Sequence, residues 1–469
     1  MVRRPVMKKK TAARADSGPT ISALMLSDIH FDPFHDPALA GRLLDAPEGG
    51  WNAILAGDAS VDEAEVFGRL QKTCGARGVD TSFALLGSSL KAMKADAPDA
   101  KFALVSGDLV VHGIDCRFKA LLPGKTQAEY AAFVAKTARY VVGQVRLALA
   151  GMPVYVALGN NDSSCGDYQM NRGDDFLAAT QELMVDGLAS PAEKKAALAS
   201  YAAGGDYSVM MRAPMEGTRL IVLDDLFQSR RYTACGKKLD AAATEAEITW
   251  LRKQLAGARV AKERVWVMGH IPPGVDPYST FSKMKAICAG DPPVMFLANE
   301  ELADVMGEYA DVIRLGVFGH THMDEMRLFG DDGGGAAKKV AIKMVASISP
   351  VDGNNPSFTV ARVDPVSAQL VDYEVIAASN QTGVDTVWSK EYSFGATYHQ
   401  AFSASGVGEV LEQFGADPDV RGDMSVAYLK DYFVGTNMGA LKPLWPQYVC
   451  AQGNHTEKGF AACVCGANR

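Results

Sequence analysis

Residues 21–32 read Ile-Ser-Ala-Leu-Met-Leu-Ser-Asp-Ile-His-Phe-Asp. A short, mostly aliphatic run passes directly into the polar cluster Ser27-Asp28-Ile29-His30. An apolar run of this length fits a strand buried on both faces, because it is too short for a helix and lacks period-two alternation. The arrangement recurs along the chain. Phe102–Ser106 precedes Gly-Asp-Leu-Val-Val-His, Val154–Leu158 precedes Gly-Asn-Asn-Asp, and Arg219–Leu223 precedes Asp224-Asp225. Val265–Met268 then precedes Gly-His-Ile-Pro-Pro-Gly, and Ile313–Phe318 precedes Gly-His-Thr-His. Buried strands ending in polar loops predict an α/β sheet with a site in the crevice beyond the strands' carboxyl ends.

Between these strands the periodicity becomes helical. Thr81–Lys94, Gln127–Leu149 and Phe176–Ala203 are Ala- and Leu-rich and amphipathic. Thr244-Glu-Ala-Glu247 has the spacing of a capping box opening the helix that contains Ile248–Leu255. After His322, Val340–Ala346, Ser357–Val363 and Leu370–Ile376 read as an antiparallel meander, with the glycine-rich loop 331–339 before it. From about residue 377 the strand runs stop. Helical stretches follow at Gly406–Phe414 and Met424–Phe433. The expected organisation is a basic, disordered leader over 1–20, a catalytic domain over 21–376, and a helical, cysteine-containing extension over 377–469.

The chain has 469 residues, 48% hydrophobic and 22% charged, enough apolar material for a core of normal size. A net charge of -8 argues against a stable nucleic-acid complex, which needs cations to meet the phosphates. It does not argue against a phosphorylated small molecule, because bound metal can supply local positive charge. No apolar run is long enough for a transmembrane segment, and no apolar stretch follows the basic leader to make a signal peptide. The eight cysteines are even in number, and three (Cys450, Cys463, Cys465) lie in the tail. A short polar terminus has little core of its own and gains from a covalent tie, so disulfides are expected over metal binding.

There are only eight histidines, and His30, His112, His270, His320 and His322 fall in or just after the strand-end loops. A lone histidine is usually an ordinary hydrogen-bonded residue. The joint order Asp-x-His, Gly-Asp, Gly-Asn-Asn-Asp, Gly-His and Gly-His-Thr-His is not expected by chance. Imidazole and carboxylate together suit divalent transition metals. A carboxylate shared by two such ions would make a centre able to clamp a phosphate and acidify water.

In order, Leu26–Asp32, Ser106–Gly113, Ala157–Asp162, Met268–Gly274 and Phe318–His322 resemble the five motifs of the calcineurin-like metallophosphoesterases. Within that superfamily the chain resembles the acid sphingomyelinase-like phosphodiesterases. The resemblance lies in His112 four positions after Asp108, in Ser347–Val360, and in Val387–Phe402 with the late cysteines. It implies a four-layer α/β sandwich of two mixed β-sheets flanked by helices. It also implies a metal set of Asp28, His30 and His322 on one ion, Asn160, His270 and His320 on the other, and Asp108 bridging. Zinc is the favoured metal, with iron or manganese as alternatives. The implied chemistry is in-line attack on a phosphodiester or phosphoanhydride by a hydroxide bridging two divalent ions. The implied partner is a small phosphorylated substrate: a nucleotide, a phospholipid headgroup or polyphosphate. Cysteines and resemblance together favour a secreted or periplasmic location.

The third motif departs from the family pattern. The family usually has histidine where this chain has Asn161, and asparagine cannot act as a general acid. Endopolyphosphatases share Gly-Asn-Asn-Asp. Either His112 supplies the proton, or the leaving group is phosphate-like and needs less protonation, or Asn161 hydrogen-bonds a phosphate oxygen. Asp162, the third catalytic candidate, is read as fixing a loop or orienting a ligand. A metal- or phosphate-binding module with weak catalysis is the alternative of another class. Asp224 and Asp225 are read as structural, His35, His399 and His455 as loop or structural residues, and Tyr168 and Tyr278 as loop tyrosines near the motifs.

Overall fold

The computed structural model describes residues 19–185, 188, 190–330, 338–435 and 441–466. Nearly all of the expected basic leader and of the glycine-rich loop at 331–339 lies outside the described residues. In chain order the strands are β1 (Ile21–Leu26), β2 (Ala103–Ser106), β3 (Val154–Ala157), β4 (Tyr207–Met210), β5 (Thr218–Val222) and β6 (Arg264–Met268). They continue with β7 (Ile313–Phe318), β8 (Glu325–Gly330), β9 (Lys339–Met344), β10 (Ser357–Asp364), β11 (Gln369–Ala378) and β12 (Trp388–Ser393). They form two six-stranded sheets, ordered β12-β11-β10-β1-β2-β3 and β4-β5-β6-β7-β9-β8.

Both sheets are mixed. β1, β2 and β3 run parallel, and β10, β11 and β12 add antiparallel strands beside β1. In the second sheet β5, β6, β7 and β9 are parallel, with β4 and β8 as antiparallel edges. The central parallel strands are almost wholly buried, as their unbroken apolar runs require. Phe102 meets Trp266 edge-on with ring centroids 5.7 Å apart. The Tyr207 hydroxyl on β4 donates to the Val156 carbonyl of β3 and accepts from its amide, at 3.0 and 2.9 Å. Helices Phe83–Asp96 and Gln127–Ala148 pack on the first sheet, and Ala241–Ala261 and Glu301–Glu308 on the second.

Several sequence expectations are corrected. The motif loops do not belong to one sheet: Asp28, Asp108 and Asn160 follow strands of the first, and His270, His320 and His322 follow strands of the second. The helix read as Phe176–Ala203 is two, Asp175–Val185 and Pro191–Gly204. Ser190 caps the second, and Pro191 sits in its first turn, where its missing N–H costs nothing. The Thr244–Glu247 box does not open a helix. That helix begins at Ala241 under an Asp240 cap, and the Thr244 hydroxyl donates to the Phe227 carbonyl. A true capping box joins Thr126 and Glu129. The expected meander is split, since β9 lies in the second sheet while β10 and β11 lie in the first. Strands also continue past residue 377, because β12 pairs with β11.

Beyond β12 the chain is helical at Ala404–Gly415, Asp423–Asp431, Trp445–Gly453 and Glu457–Gly466. All eight cysteines are paired, as Cys74–Cys116, Cys165–Cys235, Cys288–Cys465 and Cys450–Cys463. The last two bridges serve a satellite core built around Val275, Ile287, Met295, Ala451 and Phe460. So small a core explains why the tail is cross-linked.

Candidate metal centre

The carboxyl ends of β1, β2 and β3 meet those of β6 and β7, and the meeting point is polar and buried. His30 Nε2 lies 3.3 Å from Asp108 Oδ2, 3.7 Å from Asp28 Oδ1 and 3.2 Å from His322 Nε2. His322 Nε2 is 3.3 Å from Asp28 Oδ1. His270 Nε2 is 3.2 Å from both Asp108 Oδ2 and Asn160 Oδ1. The His320 ring lies edge-on to that of His270, centroids 5.2 Å apart, and its backbone N–H donates to Asp28 Oδ2 at 3.0 Å. All seven residues expected as ligands are therefore brought together.

The backbone accepts strain to do this. Asp28, His30, Asp108, His320 and His322 all have φ between 43° and 73°, a left-handed region uncommon for side chains other than glycine. The loops also approach closely. A Cβ at Gly159 would lie 2.2 Å from Asp108 Oδ1, and one at Gly319 would lie 1.9 Å from Ser27 Oγ. These motif glycines are required because any side chain would displace a ligand loop.

The donor set fits divalent cations. Asp28 Oδ1 is buried without a hydrogen-bond partner, although three imidazoles crowd it. Two of the imidazole nitrogens opposite the cluster are held from behind. His30 Nδ1 meets the Val110 carbonyl at 2.9 Å and His270 Nδ1 the Ser106 carbonyl at 2.8 Å, while His322 Nδ1 makes no hydrogen bond and has Asp352 Oδ2 3.4 Å away. Outer contacts of this kind fix the tautomer and ring plane of metal-ligating histidines.

Electrostatics carry the same signature. Burial pulls His30 and His270 down, but Asp108, Asp28 and, for each, one further carboxylate raise them to about 9 and about 10. Burial works to raise Asp108, yet His270 and His30 hold it far below the carboxylate range. Burial lowers His320 to about 3, so that imidazole stays neutral and able to coordinate. Without metal the cluster is balanced by protons, which a cation would displace.

The three catalytic candidates take distinct positions. His112 stacks on His30 with centroids 3.8 Å apart, and its Nδ1 is held by Asp80 at 3.0 and 3.1 Å. Asn161 turns onto Asp108: its backbone N–H donates to Oδ1 and its side-chain amide to Oδ2, both at 2.8 Å. Asp162 accepts from the amides of Leu109, Val110 and Gly159, tying the second and third motif loops together. Asp225 similarly accepts from the amides of His270 and Ile271. Tyr278 is exposed, and His35 pairs loosely with Glu63.

Sequence reasoning missed Asp80. It is buried, accepts from His112 and from Ser349 Oγ (2.8 Å), and comes from a segment without a motif. It also left Asp167 unmentioned and ranked Tyr168 low. Asp167 accepts from the Asn160 amide at 2.7 Å, and the Tyr168 hydroxyl lies 3.2 Å from His320 Nε2. Their proximity in sequence to Asn160 was the available signal.

Strand ends from two sheets converging on a buried Asp–His–Asn cluster define a metallohydrolase, and sequence comparison narrows the class. The chain belongs to the family of calcineurin-like phosphoesterases, whose model matches residues 22–324, and is a metal-dependent phosphoric ester hydrolase. It is 26% identical over 306 residues to the sphingomyelinase phosphodiesterase C of Dictyostelium discoideum, covering 63% of this chain and 61% of that protein. It is 25% identical to the human acid sphingomyelinase-like phosphodiesterase 3b, covering 82% of this chain and 80% of that one. The mouse cyclic GMP-AMP phosphodiesterase SMPDL3A is 24% identical over 91% of this chain and 88% of its own. Among solved structures, a dimetal phosphatase from Danio rerio superposes with a TM-score of 0.40 at 12% identity, covering 80% of this chain and 99% of that one. Among the described residues no helix is long and apolar enough to cross a membrane.

Proposed function

We propose that the chain is a two-metal phosphodiesterase acting on a small phosphorylated substrate. Asp28, His30 and His322 would hold one ion, Asn160, His270 and His320 the other, and Asp108 both. The observation that carries this reading is Asp28 Oδ1, a buried anionic oxygen without a hydrogen-bond partner, facing imidazole nitrogens 3.3–4.0 Å away. Burying a carboxylate is costly unless positive charge, from protonated imidazoles or from a bound cation, completes it. Two bound ions would supply Lewis acidity and an acidified water. The nitrogen and oxygen donors suit zinc, with iron and manganese as alternatives.

The chain's own residues supply the rest. His112 is the proposed acid for the leaving oxygen: Asp80 holds Nδ1, so Nε2 is the nitrogen left to face a substrate. Asn161 donates to Asp108, which keeps that carboxylate oriented. The division into residues 21–376 as catalytic unit and 377–469 as its extension belongs to the same proposal, with the extension lending β12 to the first sheet. The relatives named for sphingomyelin and cyclic GMP-AMP make a lipid headgroup or a nucleotide the first substrates to try.

A second reading is a phosphoanhydride hydrolase of endopolyphosphatase type. It is favoured by Asn161, which places no acid beside Asn160 and would suit a leaving phosphate. A weakly catalytic metal- or phosphate-binding module is the third. Metal analysis should give two equivalents per chain, and none would refute the proposal. Turnover of bis-p-nitrophenyl phosphate above the monoester and above polyphosphate supports the diesterase. Preference for polyphosphate favours the second reading, and metal binding without any turnover the third.

A further inference from the structure

The proposed second ion depends on Asn160 and His320, and both are held by neighbours in one short loop. Asp167 Oδ1 accepts from the Asn160 amide nitrogen at 2.7 Å. A carboxylate can only accept, so it must face the NH2 group and thereby present the Asn160 carbonyl oxygen to the cluster, 3.2 Å from His270 Nε2. That oxygen is the only atom through which an asparagine side chain coordinates. The next residue, Tyr168, sets its hydroxyl 3.2 Å from His320 Nε2 and so leaves Nδ1 as the free nitrogen of that ring.

Arg231 grips both residues at once. Its Nη2 donates to Asp167 Oδ2 at 3.2 Å, and its guanidinium carbon lies 3.9 Å above the centre of the Tyr168 ring. Arg231 comes from a separate segment, and that segment is fastened to the loop. The Thr233 amide donates to the Tyr168 carbonyl at 3.1 Å, the Met170 amide to the Thr233 carbonyl at 3.3 Å, and Cys165 is bridged to Cys235. A half-exposed ion pair is weak by itself, so the covalent bridge is what keeps this one in place. The ligands of the other ion rest on different supports, Val110 behind His30 and Ser27 beside Asp28, and His322 has only Asp352 nearby.

We infer that Asp167, Tyr168 and Arg231, locked by the Cys165–Cys235 disulfide, form a clamp of positioning residues that sets the affinity of the second metal ion without touching the first. The inference rests on the two-ion reading. It makes loss of that disulfide a way to lower the occupancy of one site selectively.

The test is zinc titration of the metal-free full chain, read by calorimetry and equilibrium dialysis. The wild type should take up two equivalents. Tyr168→Phe, Arg231→Ala and the double variant Cys165→Ser/Cys235→Ser should each weaken one equivalent by about 10- to 100-fold and leave the other unchanged. Arg231→Lys should fail to rescue, because lysine keeps a charge but not the planar stack. Tyr168→Phe removes a single hydroxyl and serves even if the other variants fold poorly. Unchanged affinity at both sites, or equal weakening at both, would overturn the clamp. A wild type that takes up fewer than two equivalents would overturn the two-ion reading, and the clamp with it.

Discussion

Replacing Asp80 by asparagine removes a negative charge from behind His112 while keeping almost the same volume. In the structure Asp80 Oδ1 takes the His112 ring N–H at 3.0 Å and the Ser349 hydroxyl at 2.8 Å, and Oδ2 takes the His112 backbone N–H at 3.2 Å. An asparagine with its oxygen at the Oδ1 position keeps the first two bonds as neutral ones and loses the third. Apart from that lost backbone bond, the change felt by the partly exposed His112 ring is the difference between a charged and a neutral acceptor. A hydrogen bond to a charged group contributes about 1.5–3 kcal/mol and one to a neutral group about 0.5–1.5, so the difference, about 1–1.5 kcal/mol lost from the protonated His112 in the transition state, lowers the rate about 5- to 13-fold. The loss should appear only where the leaving oxygen needs a proton. The assay is kcat/KM on two diesters that differ only in the leaving group, an alkoxide and p-nitrophenoxide. The alkyl ester should lose the full factor and the p-nitrophenyl ester little. Equal losses on both would make Asp80 a structural residue, and no loss on the alkyl ester would remove His112 from the acid's role.

Other expectations follow from the same geometry. Asn161→His should raise turnover of alkyl esters if the missing acid limits the enzyme, measured as kcat; a fall there with metal content intact would instead assign Asn161 to orienting Asp108. Asp108→Asn breaks the contacts to both His30 and His270, and elemental analysis should find fewer than two equivalents of metal together with lost activity. Burial raises Asp431 to about 7, against the pull of the Tyr398 hydroxyl that donates to it at 2.7 Å. A raised folded-state value means its contribution is full below the unfolded value of about 3.9 and is lost as pH rises through about 7, at most about 4 kcal/mol. Urea midpoints at pH 5 and pH 8 should therefore differ less in Asp431→Asn than in the wild type, and identical differences would refute this. The double variant Cys288→Ser/Cys465→Ser should destabilise the tail by about 2–4 kcal/mol, seen as faster proteolysis after residue 441. Chelation should remove activity but leave the far-ultraviolet dichroism unchanged.

The strands that carry motifs were legible because each is an unbroken apolar run ending in a polar cluster. The strands that were missed fail that description for physical reasons. β8 reads Glu-Met-Arg-Leu-Phe-Gly, and its Glu325 and Arg327 look exposed in sequence; in the fold both are buried and pair at 2.9 Å. β12 is polar because it is an edge strand with little buried surface. β4 has only four residues, too few to show alternation. The assignment of loops to two sheets was also hidden, since a parallel strand and its polar loop look the same in either sheet. Within the site the residues that come together were readable from their glycines and their order. The groups behind them were not: Asp80, Asp167 and Arg231 are single residues in loops without a motif, brought in by tertiary structure alone.

The left-handed backbone at five of the seven proposed ligands bears on how the centre assembles. Such conformations persist only where the surroundings impose them. Here the surroundings are two sheets packed through one apolar core, with Phe102 against Trp266 and Tyr207 bonded to Val156 across the layers. That packing does not involve the ligands. The carboxylates and imidazoles are already neutralised by one another, with His30 and His270 held protonated beside Asp108. The frame can therefore fold and hold the loops in place before any cation arrives, unlike small domains that fold only around their metal. Metal uptake should then leave the fold as it was. This is why chelation is expected to separate activity from structure in this chain.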